Sequence, residues 1–163
     1  MNEYYLKLNS NSKLKDTLIE FAKKPTTKWI RKNAFDIAIV PQSLIVNDPV
    51  VQEISKRFNS TPIIFKLMPW QFYRFHTDAA RSCALNMFLD GEDSQTYFGE
   101  STDDEEVTSI TEIVYEKNYF YLLNTHIKHA VINRNNIRYM FSMGFDTSVD
   151  YSVVKKFCCE SNL

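Results

Sequence analysis

The chain holds three histidines, His76, His126 and His129, and the first opens the run His76-Thr77-Asp78. In an extended segment, residues i and i+2 face the same side. His76 and Asp78 therefore project together and can grip one metal ion from adjacent corners. A third ligand has to come from another strand, and His126 or His129 can supply it. Two imidazoles and one carboxylate on one face leave the opposite positions of an octahedral ion open. That arrangement suits iron(II), oxygen and a chelating co-substrate. His-x-Asp alone is a weak signal that arises by chance in many chains, so other residues must support the reading.

Arg138 supports it. It leads the apolar segment Tyr139-Met140-Phe141-Ser142-Met143-Gly144-Phe145. Strand alternation puts Tyr139, Phe141, Met143 and Phe145 on one face, which reads as core. Arg138, Met140, Ser142 and Gly144 share the other face, which can line a pocket. An arginine inside a barrel needs an anionic partner, because an unpaired buried charge is very costly. No acidic residue lies near it in sequence. A guanidinium fork matches a carboxylate through two parallel hydrogen bonds, so the expected partner is a carboxylate on a ligand. A surface arginine at a strand start is the plainer alternative.

These side chains need a frame, and the sequence supplies one. Ser12 can cap a helix over Lys13–Lys24, where Leu14, Leu18 and Phe21 recur at helical spacing. Asp48 followed by Pro49 is an N-cap with proline at the first helical position, and Val50, Val51, Ile54 and Phe58 form that helix's apolar stripe. Between them Ala34–Val40 reads as a strand. From Thr61 onward short segments rich in β-branched and aromatic residues take over: Ile63–Met68, Gln71–Thr77, Cys83–Leu89, Thr96–Phe98, Ile110–Tyr115, Phe120–Leu123, Ala130–Asn133 and Tyr139–Gly144. Polar punctuation separates them, and this spacing predicts an antiparallel sandwich or barrel. Asp150–Cys159 reads as a closing helix. The acidic stretch Glu100–Glu106 is expected to be a solvated hairpin loop, because it lacks the alternating ligands and glycine turn of a calcium loop.

Composition narrows the classes. With 163 residues, 44 % of them hydrophobic, one domain over residues 1–163 is expected, with a core of its own. The net charge of −1 is not the basic surplus of a nucleic-acid binder. The cluster Lys23, Lys24, Lys28, Arg31 and Lys32 reads as a solvated face. No secretory leader is evident, and no apolar run nears the roughly 18 residues of a membrane span. Cys83, Cys158 and Cys159 are odd in number and two are adjacent, which is no disulfide framework. The plain expectation is a cytoplasmic protein with reduced thiols.

Taken together, His76-x-Asp78, His129 about fifty residues on and Arg138 nine residues later resemble the 2-oxoglutarate/Fe(II)-dependent dioxygenase superfamily. The likeness runs from Tyr73 to Phe145. The runs His76–Asn86 and Leu123–Asn133 look like its aspartyl/asparaginyl β-hydroxylase and prolyl-hydroxylase branches. The resemblance implies a double-stranded β-helix (jelly-roll, cupin-like) barrel over about 61–146, with N-terminal helices over about 12–60 as support. It implies iron held by His76, Asp78 and His129, with His126 at a turn on the rim. It further implies that Arg138 binds the distal carboxylate of 2-oxoglutarate, assisted by Ser142. Asn86, inward with Ser82, Ala84 and Phe88, is the candidate for another hydrogen bond to the co-substrate. Phe88 stands where many relatives have a tyrosine and brings no hydroxyl. The implied activity is hydroxylation of an amino-acid or peptidyl side chain, using oxygen and turning 2-oxoglutarate into succinate, with ascorbate as reductant. Arg81 is expected at the barrel mouth, and alternation places Arg74 on the face of His76. A metal-binding cupin-like isomerase or sensor without oxygenase chemistry is the alternative.

Overall fold

The computed structural model describes residues 3–100 and 107–163. The acidic loop expected at Glu100–Glu106 therefore lies, apart from Glu100, outside the described residues. The N-terminal part contains β1 (Tyr5–Asn11), α1 (Leu14–Lys23), β2 (Ile30–Arg31), β3 (Asp36–Ile39), the single turn α2 (Gln42–Ile45) and α3 (Pro49–Ser55). Then come β4 (Ser60–Leu67), β5 (Phe72–His76), β6 (Cys83–Asp90), β7 (Ser94–Glu100) and β8 (Ser109–Ile113). The chain continues through β9 (Tyr119–Asn124), β10 (His129–Asn133), β11 (Arg138–Phe145) and α4 (Tyr151–Glu160).

The strands form two antiparallel sheets. The larger runs β1-β9-β6-β11-β4-β3-β2, and the smaller runs β5-β10-β7-β8. This is the jelly-roll arrangement of a double-stranded β-helix. The N-terminal part is less helical than its pattern suggests. β1 adds to the larger sheet by pairing Tyr5 with Leu123 and Leu6 with Leu122, and β3 pairs with β4. Neither β1 nor β2 stands out in the sequence, because an edge strand needs only one neighbour and carries a weak alternation.

The pleat of the larger sheet divides its residues. Leu85, Met87, Leu122, Phe141, Met143 and Phe145 point to one side and pack against Leu18 of α1, Val50 and Ile54 of α3 and Val154 of α4. The other side faces the smaller sheet and carries Asn86, Leu123, Arg138 and Met140 toward a shared cavity. Local signals hold the helices in place. Asp48 Oδ1 accepts from the backbone N–H groups of Val50 and Val51, both at 3.0 Å, and Pro49 occupies the first turn. Ser12 Oγ accepts from Leu14 N–H at 3.1 Å and donates to Asp48 Oδ2 at 2.7 Å. One buried pair of polar side chains thus fixes the starts of α1 and α3 together. Among the described residues no helix is long and apolar enough to cross a membrane. The three cysteines are free thiols.

Candidate metal centre

β5 and β10 are neighbours in the smaller sheet, and their register sets His129 directly opposite His76. Side chains directly across an antiparallel pair lie within about 5.5 Å at Cβ. The two imidazole centroids are 4.3 Å apart. Asp78 follows β5 by two residues, and its N–H donates to the Thr125 carbonyl at 3.0 Å. One donor atom from each of His76, Asp78 and His129 lies within 4.8 Å of the others. His126, exposed in the turn before β10, is not in this group.

The ring orientations are fixed by backbone. His76 Nδ1 lies 2.7 Å from the Arg74 carbonyl, and His129 Nδ1 lies 3.0 Å from the Ile127 carbonyl. A carbonyl can only accept, so in each ring Nδ1 carries the proton and Nε2 the lone pair. Burial and the neighbouring His76 push the His129 pKa down to about 4, so its ring is neutral at pH 7. The two Nε2 lone pairs then face a carboxylate. His76 Nε2 is 3.4 Å from Asp78 Oδ1, and His129 Nε2 is 3.9 Å from Asp78 Oδ2. Among the described residues, His76 Nε2 is buried without a hydrogen-bond partner. Burial would raise the Asp78 carboxyl, but the Arg81 guanidinium bonded to it opposes this, and its pKa lies far below the usual carboxylate range. Three electron-pair donors converge with no proton between them, which is the setting of a cation. Two imidazole nitrogens and one carboxylate fit a divalent transition metal such as iron(II), and the Nδ1–carbonyl bonds are the outer support such ligands need.

Alternation fails at one point in β5. The β5–β10 register slips between Tyr73 and His76, so Tyr73, three residues before His76, shares its side. Their ring centroids are 3.9 Å apart. Arg74 is exposed, not on the face of His76 as strict alternation expects. A bulge inserts one residue and turns the strand's faces over.

Asp78 and His129 line a cavity of about 210 Å³ that also holds Arg138, Asn86, Thr96 and Tyr115. Arg138 is 3 % exposed. Its NH2 donates to Thr96 Oγ1 at 2.8 Å, and its NH1 to Ser94 Oγ at 3.3 Å and the Gln95 carbonyl at 3.4 Å. All of these acceptors are neutral, and among the described residues no carboxylate pairs with it. Burial lowers its pKa from the ordinary value, yet a guanidinium stays charged in proteins. Its backbone is packed tightly as well. Gly91, at φ +115°, leaves space where a Cβ would come within 2.8 Å of Arg138 Cα.

Two cavity residues escaped the sequence reading. Tyr115 stacks on Phe88 with centroids 5.7 Å apart and planes 13° from parallel, and its hydroxyl donates to Thr96 Oγ1 at 3.3 Å. Burial raises the Tyr115 phenol above its ordinary value, which keeps it a donor. The hydroxyl that Phe88 lacks is thus present, brought from the segment after β8. Alternation with the buried Ile113 was the available signal. Thr96 Oγ1 accepts from both Arg138 and Tyr115, so its own proton is left to donate. Asn86 is inward as expected, and its Oδ1 is buried without a partner among the described residues. Ser142 is buried but does not line this cavity; its Oγ lies 3.4 Å from Arg81 NH1. Arg81 lies at the mouth, where an open groove of about 640 Å³ shares Asp78 and Arg81 with the inner cavity.

No family model matches the chain, and no curated protein matches it. Solved structures do. A prolyl hydroxylase from Trichoplax adhaerens, in complex with a hypoxia inducible factor oxygen degradation domain peptide fragment, matches with a TM-score of 0.63 and 12 % identity, over 98 % of this chain and 88 % of that one. An oxidoreductase of the 2OG-Fe(II) oxygenase family from Burkholderia pseudomallei matches with a TM-score of 0.58 and 10 % identity, over 82 % and 77 %. A Pseudomonas putida prolyl-4-hydroxylase matches with a TM-score of 0.54 and 11 % identity, over 82 % and 85 %. At these identities the likeness is one of fold. The chain has the double-stranded β-helix fold of 2-oxoglutarate/Fe(II) oxygenases and prolyl hydroxylases.

Proposed function

We propose that this chain is a 2-oxoglutarate- and Fe(II)-dependent hydroxylase acting on an amino-acid or peptidyl side chain, in one domain over residues 1–163. His76, Asp78 and His129 are the iron ligands in this reading. The observation that carries it is Arg138: a buried guanidinium without an acidic partner among the described residues, in the same cavity as two of the three metal donors, Asp78 and His129. Leaving such a charge uncompensated is costly, and a small dicarboxylate bound between metal and arginine would satisfy both.

When bound, ferrous iron supplies oxygen activation coupled to decarboxylation of 2-oxoglutarate to succinate. The chain's residues do the rest. Arg138, with the Thr96 and Tyr115 hydroxyls beside it, receives the distal carboxylate. Asn86 reaches the co-substrate from β6, and Ser142 assists only through Arg81. The apolar walls at Phe65, Leu67 and Met140 exclude water from the reacting centre. The outer groove, open to solvent beside Asp78, takes the primary substrate. A peptide substrate is favoured because the groove is open and because the Trichoplax relative was solved with a peptide.

Anaerobic titration with Fe(II), followed by oxygen and 2-oxoglutarate, tests the reading. Stoichiometric iron and succinate release are expected. Metal binding without succinate would instead leave a cupin-like isomerase or sensor, and no metal would sink both.

A further inference from the structure

Asp78 is held by a cation of the chain itself. Arg81 Nε donates to Asp78 Oδ2 at 2.5 Å, while its NH1 points to Ser142 Oγ at 3.4 Å. The guanidinium carbon stands 5.5 Å from the centre of the Phe65 ring. The arm crosses β11 at Gly144, where an added Cβ would sit 2.9 Å from Arg81 Cδ. Gly144 has no positive φ that calls for glycine, so its missing side chain serves the passage of Arg81. The backbone below the arm is clamped by one residue. Thr125 accepts from Asp78 N–H at 3.0 Å, donates its N–H to the Ser82 carbonyl at 3.1 Å, and donates Oγ1–H to the Arg81 carbonyl at 3.0 Å.

We infer that Arg81 is a positioning residue for the metal centre: seated over Gly144 and aimed past Ser142, it engages Asp78 Oδ2 and leaves Oδ1 as the carboxylate's one donor to the ion. This rests on the metal reading above. A carboxylate with both oxygens free can take two positions on a cation. A charge-assisted hydrogen bond on one oxygen is strong and short, and it keeps the second position open for a chelating co-substrate. Oδ1 is the oxygen nearer His76 Nε2 and Oδ2, taken by Arg81, the one nearer His129 Nε2, so the arginine selects the oxygen that faces His76. In this role Arg81 acts through Asp78 and does not touch the ion.

The test uses Mn(II) on the full chain, with affinity read by electron paramagnetic resonance and open coordination positions read by water-proton relaxation. Wild type should bind one ion. Arg81→Gln should weaken binding about 10–100-fold, the usual effect of removing an outer-shell partner. Its relaxation enhancement should fall, because the released Oδ2 occupies a water position. Arg81→Lys keeps a charged donor and should recover part of both. Gly144→Ala leaves every ligand in place but pushes Arg81 aside, and should shift both readouts the same way by less. Wild-type affinity and relaxation in Arg81→Gln and Gly144→Ala would overturn the inference while leaving the metal reading intact. If Arg81→Gln loses its circular dichroism, Gly144→Ala decides alone. A wild-type chain that binds no Mn(II) would instead remove the metal reading beneath it.

Discussion

The two faces of the larger sheet are built for different ends. Toward the helices, Leu85, Leu122, Phe141 and Phe145 are completely or almost completely buried in an apolar layer. Toward the smaller sheet, the same strands present Asn86 and Arg138, which among the described residues have an unpartnered oxygen and no acidic mate respectively. Burying polar groups in this state costs free energy. The helix-covered face supplies the stability that offsets this cost on the inner face. One residue of register separates the two, since a slip of one exchanges the faces entirely.

That contrast can be broken most sharply at Asp78. Asp78→Ala should abolish metal binding and succinate production while the helix-covered core still folds, read by metal content, succinate assay and circular dichroism. Turnover in that variant would end the division of labour. Arg138→Ala should leave the co-substrate carboxylate unpaired, costing roughly 3–5 kcal/mol, or about two to three and a half decades in 2-oxoglutarate affinity. Calorimetric titration of the metal-loaded protein checks it. On the opposite face, Phe141→Ala should lose about 3–5 kcal/mol of stability to denaturant.

Smaller effects sharpen the same comparison. A buried charge without an opposite charge beside it is costly to keep in the folded chain. Arg138→Met should therefore raise the ligand-free unfolding midpoint or leave it unchanged, whereas a marked fall would mean that the guanidinium holds the fold. His126→Ala should leave metal affinity near wild type, and a loss equal to that of His129→Ala would reassign the third ligand. The smallest effect belongs to the sheet's far edge. Burial would raise the Asp36 carboxyl, but Arg31 at 3.0 Å and Lys66 at 3.1 Å outweigh it and lower its pKa. A carboxylate lowered in the folded state contributes stability above its unfolded pKa and loses it as pH falls through the folded one. Asp36→Asn should therefore lower the midpoint at pH 7 and match wild type in strong acid.

What the sequence determined by itself is local. Asp48-Pro49 starts α3 because cap and proline act within one turn. Alternation in β6 and β11 assigns Asn86 and Arg138 to the inner face because side chains of a pleated strand change sides at every residue. The His76-x-Asp78 pair is close because its spacing is short. The tertiary structure decided everything that depends on which strands pair and in what register. Opposition across β5 and β10 brings His129, rather than the exposed His126, against His76. The bulge in β5 turns Arg74 outward and Tyr73 inward. Tyr115 and Thr96 reach Arg138 from distant strands, and the arm by which Arg81 engages Asp78, three residues away, lies against Gly144 of a distant strand. Such meetings depend on long-range hydrogen-bond registers and packing clearances, which no spacing within a single segment encodes.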